Sequence, residues 1–238
     1  MSAKKRAASR ASSVVKKTKQ KSSRVKKTRP SEEGVQGYPG LIGVIHLPAL
    51  AGAPRAIGED PVEILQNAGL LALEEARMLE DAGFDALILE NFGDIPFYLD
   101  QVPPETVAAL SVISAAVKEA VRIPVGLNVL RNDARSALAI AAVNGLEFIR
   151  VNVLSGVAAT DQGWAVGGAA ALLRERDRLH AGVAIFADVA VKHAINYSAR
   201  SVGLAVEEVV ERAGADAAIV TGPTTGRGVD LNVLKEAA

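Results

Sequence analysis

"PVGLNVLRNDARSALAIAAVNGLEFIRVNVL", residues 124–154, decides the fold. A short apolar run at 124–131 gives way to apolar side chains at helical spacing, and a second short run follows at 148–154. Asn132-Asp133 suits a helix start. Asn144-Gly145 suits a stop, because glycine readily takes the left-handed conformation that ends a helix. Strand, helix and strand in so short a length of chain make a parallel βαβ unit.

The same rhythm extends both ways. Upstream lie the runs "LIGVIHL" (41–47) and "DALILEN" (85–91). A helix opens at Asp60-Pro61-Val62-Glu63 and stops at Gly83, and another covers about 104–121. Downstream, "SGVAATDQGWAVGG" (155–168) reads as a loop longer than a tight connection needs. Then come a helix over 169–180, the strand "VAIFADVA" (183–190), the loop "VKHAINYS" and a helix ending at Gly214. The strand "DAAIVTG" (216–222), the loop "PTTGRG" and a helix start at Asp230 complete the chain.

Six units of roughly 30 residues match an α/β TIM (β/α)8-type barrel two units short of closure. A doubly wound open sheet also holds six strands. The usual dinucleotide glycine fingerprint is missing after the first run, which leads instead into "HLPALAGAP".

Composition divides the chain in two. Residues 1–34 carry twelve Lys/Arg and two Glu, which leaves 15 basic against 25 acidic residues in 35–238. The head has almost nothing to bury, so ordering it costs entropy without return, and it is expected to be a disordered arm beside a partial barrel over 35–238. Its charge suits nucleic acid or an anionic membrane surface. A solvated tail and an organelle transit peptide are the other readings. There is no cysteine, which excludes disulfides and thiol catalysis, and no apolar run long enough to span a membrane. A cytoplasmic protein, or one peripheral to a membrane, is the expectation.

Strands buried on both faces should be almost wholly apolar. Here nearly every strand carries a polar residue toward its C-terminal end: His46, Glu90 and Asn91, Asn128 and Arg131, Arg150 and Asn152, Asp188, and Thr221 next to Gly222. In a parallel barrel those ends share one rim, where such proteins bind and react. Each residue alone has a bland reading: a satisfied histidine, a turn cap, a paired charge, an amide bonded to backbone. So many positions on one rim are less easily explained that way.

"FADVAVKHAINYS" places Asp188, Lys192, His193 and Asn196 together. Paired Asp188 and Lys192 beside His193 suit proton transfer, and a desolvated Lys192 suits a Schiff base; a charged loop is the plain alternative. Asp188, Lys192, His193 and Glu90 are the catalytic candidates. His46, Asn91, Asn128, Arg131, Arg150, Asn152, Thr221 and Gly222 are the candidates for holding substrate. Asn128 and Asn152, one unit apart, are expected at equivalent heights on neighbouring strands, aimed at one bound group. A metal held by His46, Glu90, Asp188 and His193 lacks paired-histidine spacing, so neither a metal nor a cofactor is expected.

"GVIHLPAL", "ALILENFGDIPF", "IPVGLNVLRNDARSALAIA", "FIRVNVLSGVAATDQG" and "IFADVAVKHA" together resemble the BtpA/SgcQ family over about residues 38–227. The basic head has no counterpart there. The resemblance implies a barrel related to the ribulose-phosphate-binding barrels. It implies either of two functions. One is binding or conversion of a small phosphorylated or nucleoside-like metabolite, one branch carrying a nucleosidase label, with a lyase or isomerase as the other enzyme types. The other is that of the family's namesake, a peripheral thylakoid factor needed for photosystem I reaction-centre proteins to accumulate. Members usually continue into two further strands whose loops hold phosphate in related barrels. On that comparison the chain is expected to be a truncated gene product, with open edges at its first and sixth strands and a tendency to aggregate. A homo-oligomer is a further expectation.

Overall fold

The computed structural model describes residues 40–56, 58–197, 201–222 and 228–237. The basic arm expected over 1–34 and the loop at 223–227 lie outside them. In chain order the elements are β1 (Ile42–His46), α1 (Pro61–Asp81), β2 (Ala86–Glu90), α2 (Pro104–Ala120), β3 (Val125–Asn128), α3 (Ala134–Asn144) and β4 (Phe148–Val151). There follow β5 (Val157–Thr160), β6 (Gly163–Val166), α4 (Ala169–Arg178), β7 (Ala184–Asp188), β8 (Ala194–Asn196), α5 (Val202–Glu207), β9 (Ala217–Ile219) and α6 (Leu231–Ala237).

Local chemistry sets the helix boundaries. Asp60 Oδ1 accepts from the amides of Val62 (2.7 Å) and Glu63 (3.2 Å), with Pro61 at the first helical position of α1. Asp133 caps α3 through the Ser136 amide at 2.9 Å, and Gly145 ends it at φ 66°. The inward stripe of α1, Ile64, Ala68, Ala72 and Ala76, is small enough for the helix to lie close against the strands.

Six strands form one parallel sheet in the order β1-β2-β3-β4-β7-β9. That order rules out the doubly wound alternative, in which the strand order reverses at a switch point. Strands added always on the same side, each by a right-handed crossover, put their helices on one face. The result is the TIM-like α/β arrangement, six strands curled as part of a barrel wall.

Alternation along each strand assigns the two faces. Leu87, Leu89, Val125, Leu127, Ile149, Val151 and Ile185 point outward into the main core with α1, α2 and α3. Ala86, Ile88, Phe148 and Phe186 point inward, where the two phenylalanine rings stack with centroids 4.7 Å apart. A Cβ on Gly126, between Ile88 and Phe148 in register, would fall 2.2 Å from the Phe148 ring, so the bare glycine makes room for that ring. This apolar floor lies one inward-facing layer beneath the polar residues of the rim.

The stretch expected as a loop after β4 is a hairpin, β5 and β6, and β8 adds to it from the loop after β7. Together they make an antiparallel sheet in the order β6-β5-β8. Its underside, Ala158 and Ala165, packs on Val153 and Val191. The sheet escapes a sequence reading because β5 and β6 are completed by a strand from the next unit. Among the described residues, no helix is long and apolar enough to cross a membrane.

Candidate functional site

Register sets the heights of the rim residues. His46 pairs with Glu90 and Glu90 with Asn128; since Leu127 pairs with Ile149, Asn128 stands level with Arg150. Asn152 therefore lies two residues higher than Asn128, beside Asp188, and the expectation of equivalent heights fails. The amides also serve different partners. Asn128 Nδ2 donates to Glu90 Oε1 at 3.0 Å, and Asn152 Nδ2 to Asp188 Oδ2 at 2.7 Å.

Arg150 lies at the centre. Its Nη1 donates to Glu90 Oε1 at 2.9 Å, while Nε and Nη2 reach Asp188 Oδ1 and Oδ2 at 3.2 and 3.0 Å. The expected pairing of Asp188 with Lys192 is therefore replaced by a two-pronged pairing with Arg150. That fork matches the planar guanidinium, which a single ammonium cannot do. Glu90 Oε2 lies 3.5 Å from His46 Nε2, and the His46 ring stacks on Phe92 at 4.3 Å.

The two carboxylates move apart in acidity. Desolvation pushes Glu90 upward, but the contacts from His46 and Asn128 and the charge of Arg150 outweigh it and hold Glu90 below its ordinary value. At Asp188, whose side chain is wholly inaccessible, desolvation wins over Arg150 and Asn152, the nearby Glu90 charge adds to it, and the carboxyl is raised. Arg150 is desolvated too, yet two carboxylates hold it above the ordinary arginine value. Ionised Glu90 thus favours the folded state above 4.5, and that contribution disappears as pH falls through its lowered value. Asp188 has the opposite sign, its ionisation reducing stability as pH rises past 3.8. Carboxyl carbon shifts followed through an NMR pH titration should place Asp188 above 3.8 and Glu90 below 4.5. Two unshifted carboxyls would contradict this burial.

Above these groups opens a cavity of about 460 Å³, lined by His46, Glu90, Asn128, Arg131, Arg150, Asn152, Lys192 and His193. Asp188 lies just beneath. Arg131 Nη2 donates to the Lys192 carbonyl at 2.6 Å, while Arg131 Nε and Asn152 Oδ1 are buried without a protein partner. Buried polar groups normally find partners, so these two mark where a ligand or water would bond. A groove of about 530 Å³ between α3 and α4 is larger, but it holds none of the candidate residues.

Three expected residues sit elsewhere. Asn91 accepts from the Leu130 amide (2.8 Å) and donates to Asp94 (2.9 Å), which itself accepts from the Leu50 amide. It ties three rim loops together beside a smaller cavity of about 190 Å³. Thr221 Oγ1 donates to the Ala190 carbonyl at 3.2 Å, and neither it nor Gly222 lines the cavity. Conversely, Phe92, Phe97 and Asp161 also line it, and none of them is a polar residue within a parallel strand. Phe92 and Phe97 lie within the quoted "ENFGDIPF", and Asp161 within the long connection after β4. Among the described residues, no three imidazole or carboxylate groups converge to hold a metal ion.

A family model described as the BtpA family matches residues 38–238. An uncharacterized protein of Pyrococcus horikoshii is 47% identical over 194 residues, 82% of this chain and 72% of its own length. One from Methanocaldococcus jannaschii is 45% identical over 195 residues, with the same two shares. The photosystem I biogenesis protein BtpA of Synechocystis is 45% identical over 195 residues, 82% of this chain and 66% of that protein.

Proposed function

The chain belongs to the BtpA family, and on that premise we propose that the rim cavity binds a small phosphorylated or nucleoside-like metabolite and moves a proton on it. The observation that carries this reading is the buried cluster in which Arg150, from β4, braces Glu90 and Asp188, with Glu90 against His46. Removing three charged groups from water is costly, and a body used only for docking has no need of them.

Each residue has a role in this reading. His46, oriented by Glu90, is the proton carrier at the cavity wall, as an imidazole held by a carboxylate can be. Asp188 is the buried counter-charge that keeps Arg150 extended. Arg150 acts as a positioning residue, since its three nitrogens already bond carboxylates. Lys192 and Arg131 supply positive charge for a phosphate, with His193 beside them on the same wall. Phe92 and Phe97, with centroids 6.2 Å apart, offer an aromatic wall for a flat ring. Asn152 Oδ1 accepts from a ligand hydroxyl or amine. The relation to ribulose-phosphate-binding barrels that the family resemblance implies accords with this ligand class.

Thermal unfolding of the chain with ribose 5-phosphate, adenosine and AMP tests the proposal. A ligand at a hundred times its dissociation constant is expected to raise the midpoint by about 5–10 °C. Lys192→Ala should abolish the advantage of the phosphorylated compounds, and Asp188→Asn should weaken binding of all. No shift with any of them would remove the metabolite reading. A second reading, a non-catalytic factor in photosystem I assembly or stability, is favoured by the name of the Synechocystis relative.

A further inference from the structure

The small sheet over the rim has an outer face of unusual composition. In register, Trp164, Ala159 and Ile195 form one row across β6, β5 and β8. Val166 pairs with Val157, whose carbonyl accepts from the Tyr197 amide at 2.8 Å, which gives a second row on the same side. The Trp164 and Tyr197 rings meet at 5.5 Å across β5. Both rows are apolar or aromatic throughout. Trp164 is 61% exposed, Val166 59%, Ile195 62% and Tyr197 59%.

We infer that this face is the interface between two copies of the chain. Its apolar area is on the order of 500 Å². A standard dimer buries about 800 Å² per partner, slightly more than half of it apolar, so the patch supplies the apolar part of such a half-interface. It bears no charge, so its complement must be apolar too, and a two-fold axis brings the same uncharged rows together. The chain's own head does not suit, with twelve Lys/Arg in its first 34 residues. The consequence reaches the cavity. Asp161 lies in the β5–β6 turn, and Lys192-His193 directly precede Ala194, which pairs with Thr160. A partner clamped on the sheet steadies all three.

The chain has one tryptophan, so selectively excited tryptophan emission reports on this face alone. From nanomolar to high micromolar concentration, light scattering should rise to twice the 24.7 kDa chain mass while Trp164 emission moves to shorter wavelength. Ile195→Lys and Tyr197→Glu, both at exposed positions, should keep the far-ultraviolet spectrum, weaken association at least about thirtyfold and leave the emission red. A 24.7 kDa species throughout overturns the inference. So does association that neither substitution changes, or a blue shift seen only with anionic vesicles while the protein stays monomeric.

Discussion

Arg150→Met is expected to lower folding stability by about 3–5 kcal/mol at neutral pH, the usual cost of stripping the partner from a buried charge. Two carboxylates would be left facing each other, Glu90 with a side chain 6% exposed and Asp188 with none. Methionine fills much of the same space, so the loss reports charge more than volume. Urea denaturation at pH 7 measures it directly. The deficit should shrink in acid, because without Arg150 burial raises both carboxyls in the folded variant, and they then take up protons that the unfolded chain binds less tightly. Adding Glu90→Gln and Asp188→Asn to Arg150→Met should recover most of the stability. A loss below about 1 kcal/mol, typical of an exposed ion pair, would show that the cluster is not sequestered from water.

Gly93→Ala is expected to cost about 3 kcal/mol and to damage the rim as well. The glycine amide donates to the Leu47 carbonyl at 2.9 Å, which places two rim loops against each other. A methyl group there would lie 2.3 Å from the Ala49 nitrogen and 2.4 Å from the Pro48 carbonyl carbon. These are backbone atoms, so no side-chain rotation relieves the clash and the loops must part. Phe92, the preceding residue, would then leave the face of His46. Gly69→Ala is the matched control: it lies within α1 with nothing within 4 Å of the added methyl, and should stabilise by about 0.5–1 kcal/mol. Denaturation together with ligand-induced thermal shifts separates the two effects. Loss of stability with unaltered ligand response would mean that the Phe92–His46 stack is dispensable for binding.

The parallel sheet was legible because a strand covered on both faces leaves a short apolar run that few other structures produce. "LIGVIHL", "DALILEN", "FIRVNVL" and "VAIFADVA" each became a strand within a few residues of the expected bounds. The rim sheet was not, for two reasons. Its inward residues are small alanines, while Trp164 and Val166 face outward, so the usual alternation of apolar and polar is absent. Its third strand also belongs to the following unit.

At the site, location was readable and partnership was not. A polar residue inside a buried strand identifies itself, and eight of the twelve candidates line one cavity, with Asp188 beneath it. Who bonds whom depends on register, which the sequence does not display. Proximity along the chain suggested Lys192 for Asp188, whereas the sheet brings Arg150 from the neighbouring strand.

The strand β8 that completes the rim sheet also ties two loops mechanically. Because Ala159 and Ile195 hold the same row from two different units, the connections after β4 and after β7 are held in one ladder. An insertion in one breaks the ladder of the other. A change of length in either loop is therefore felt on both sides of the cavity mouth, at Asp161 from one connection and at Lys192 and His193 from the other.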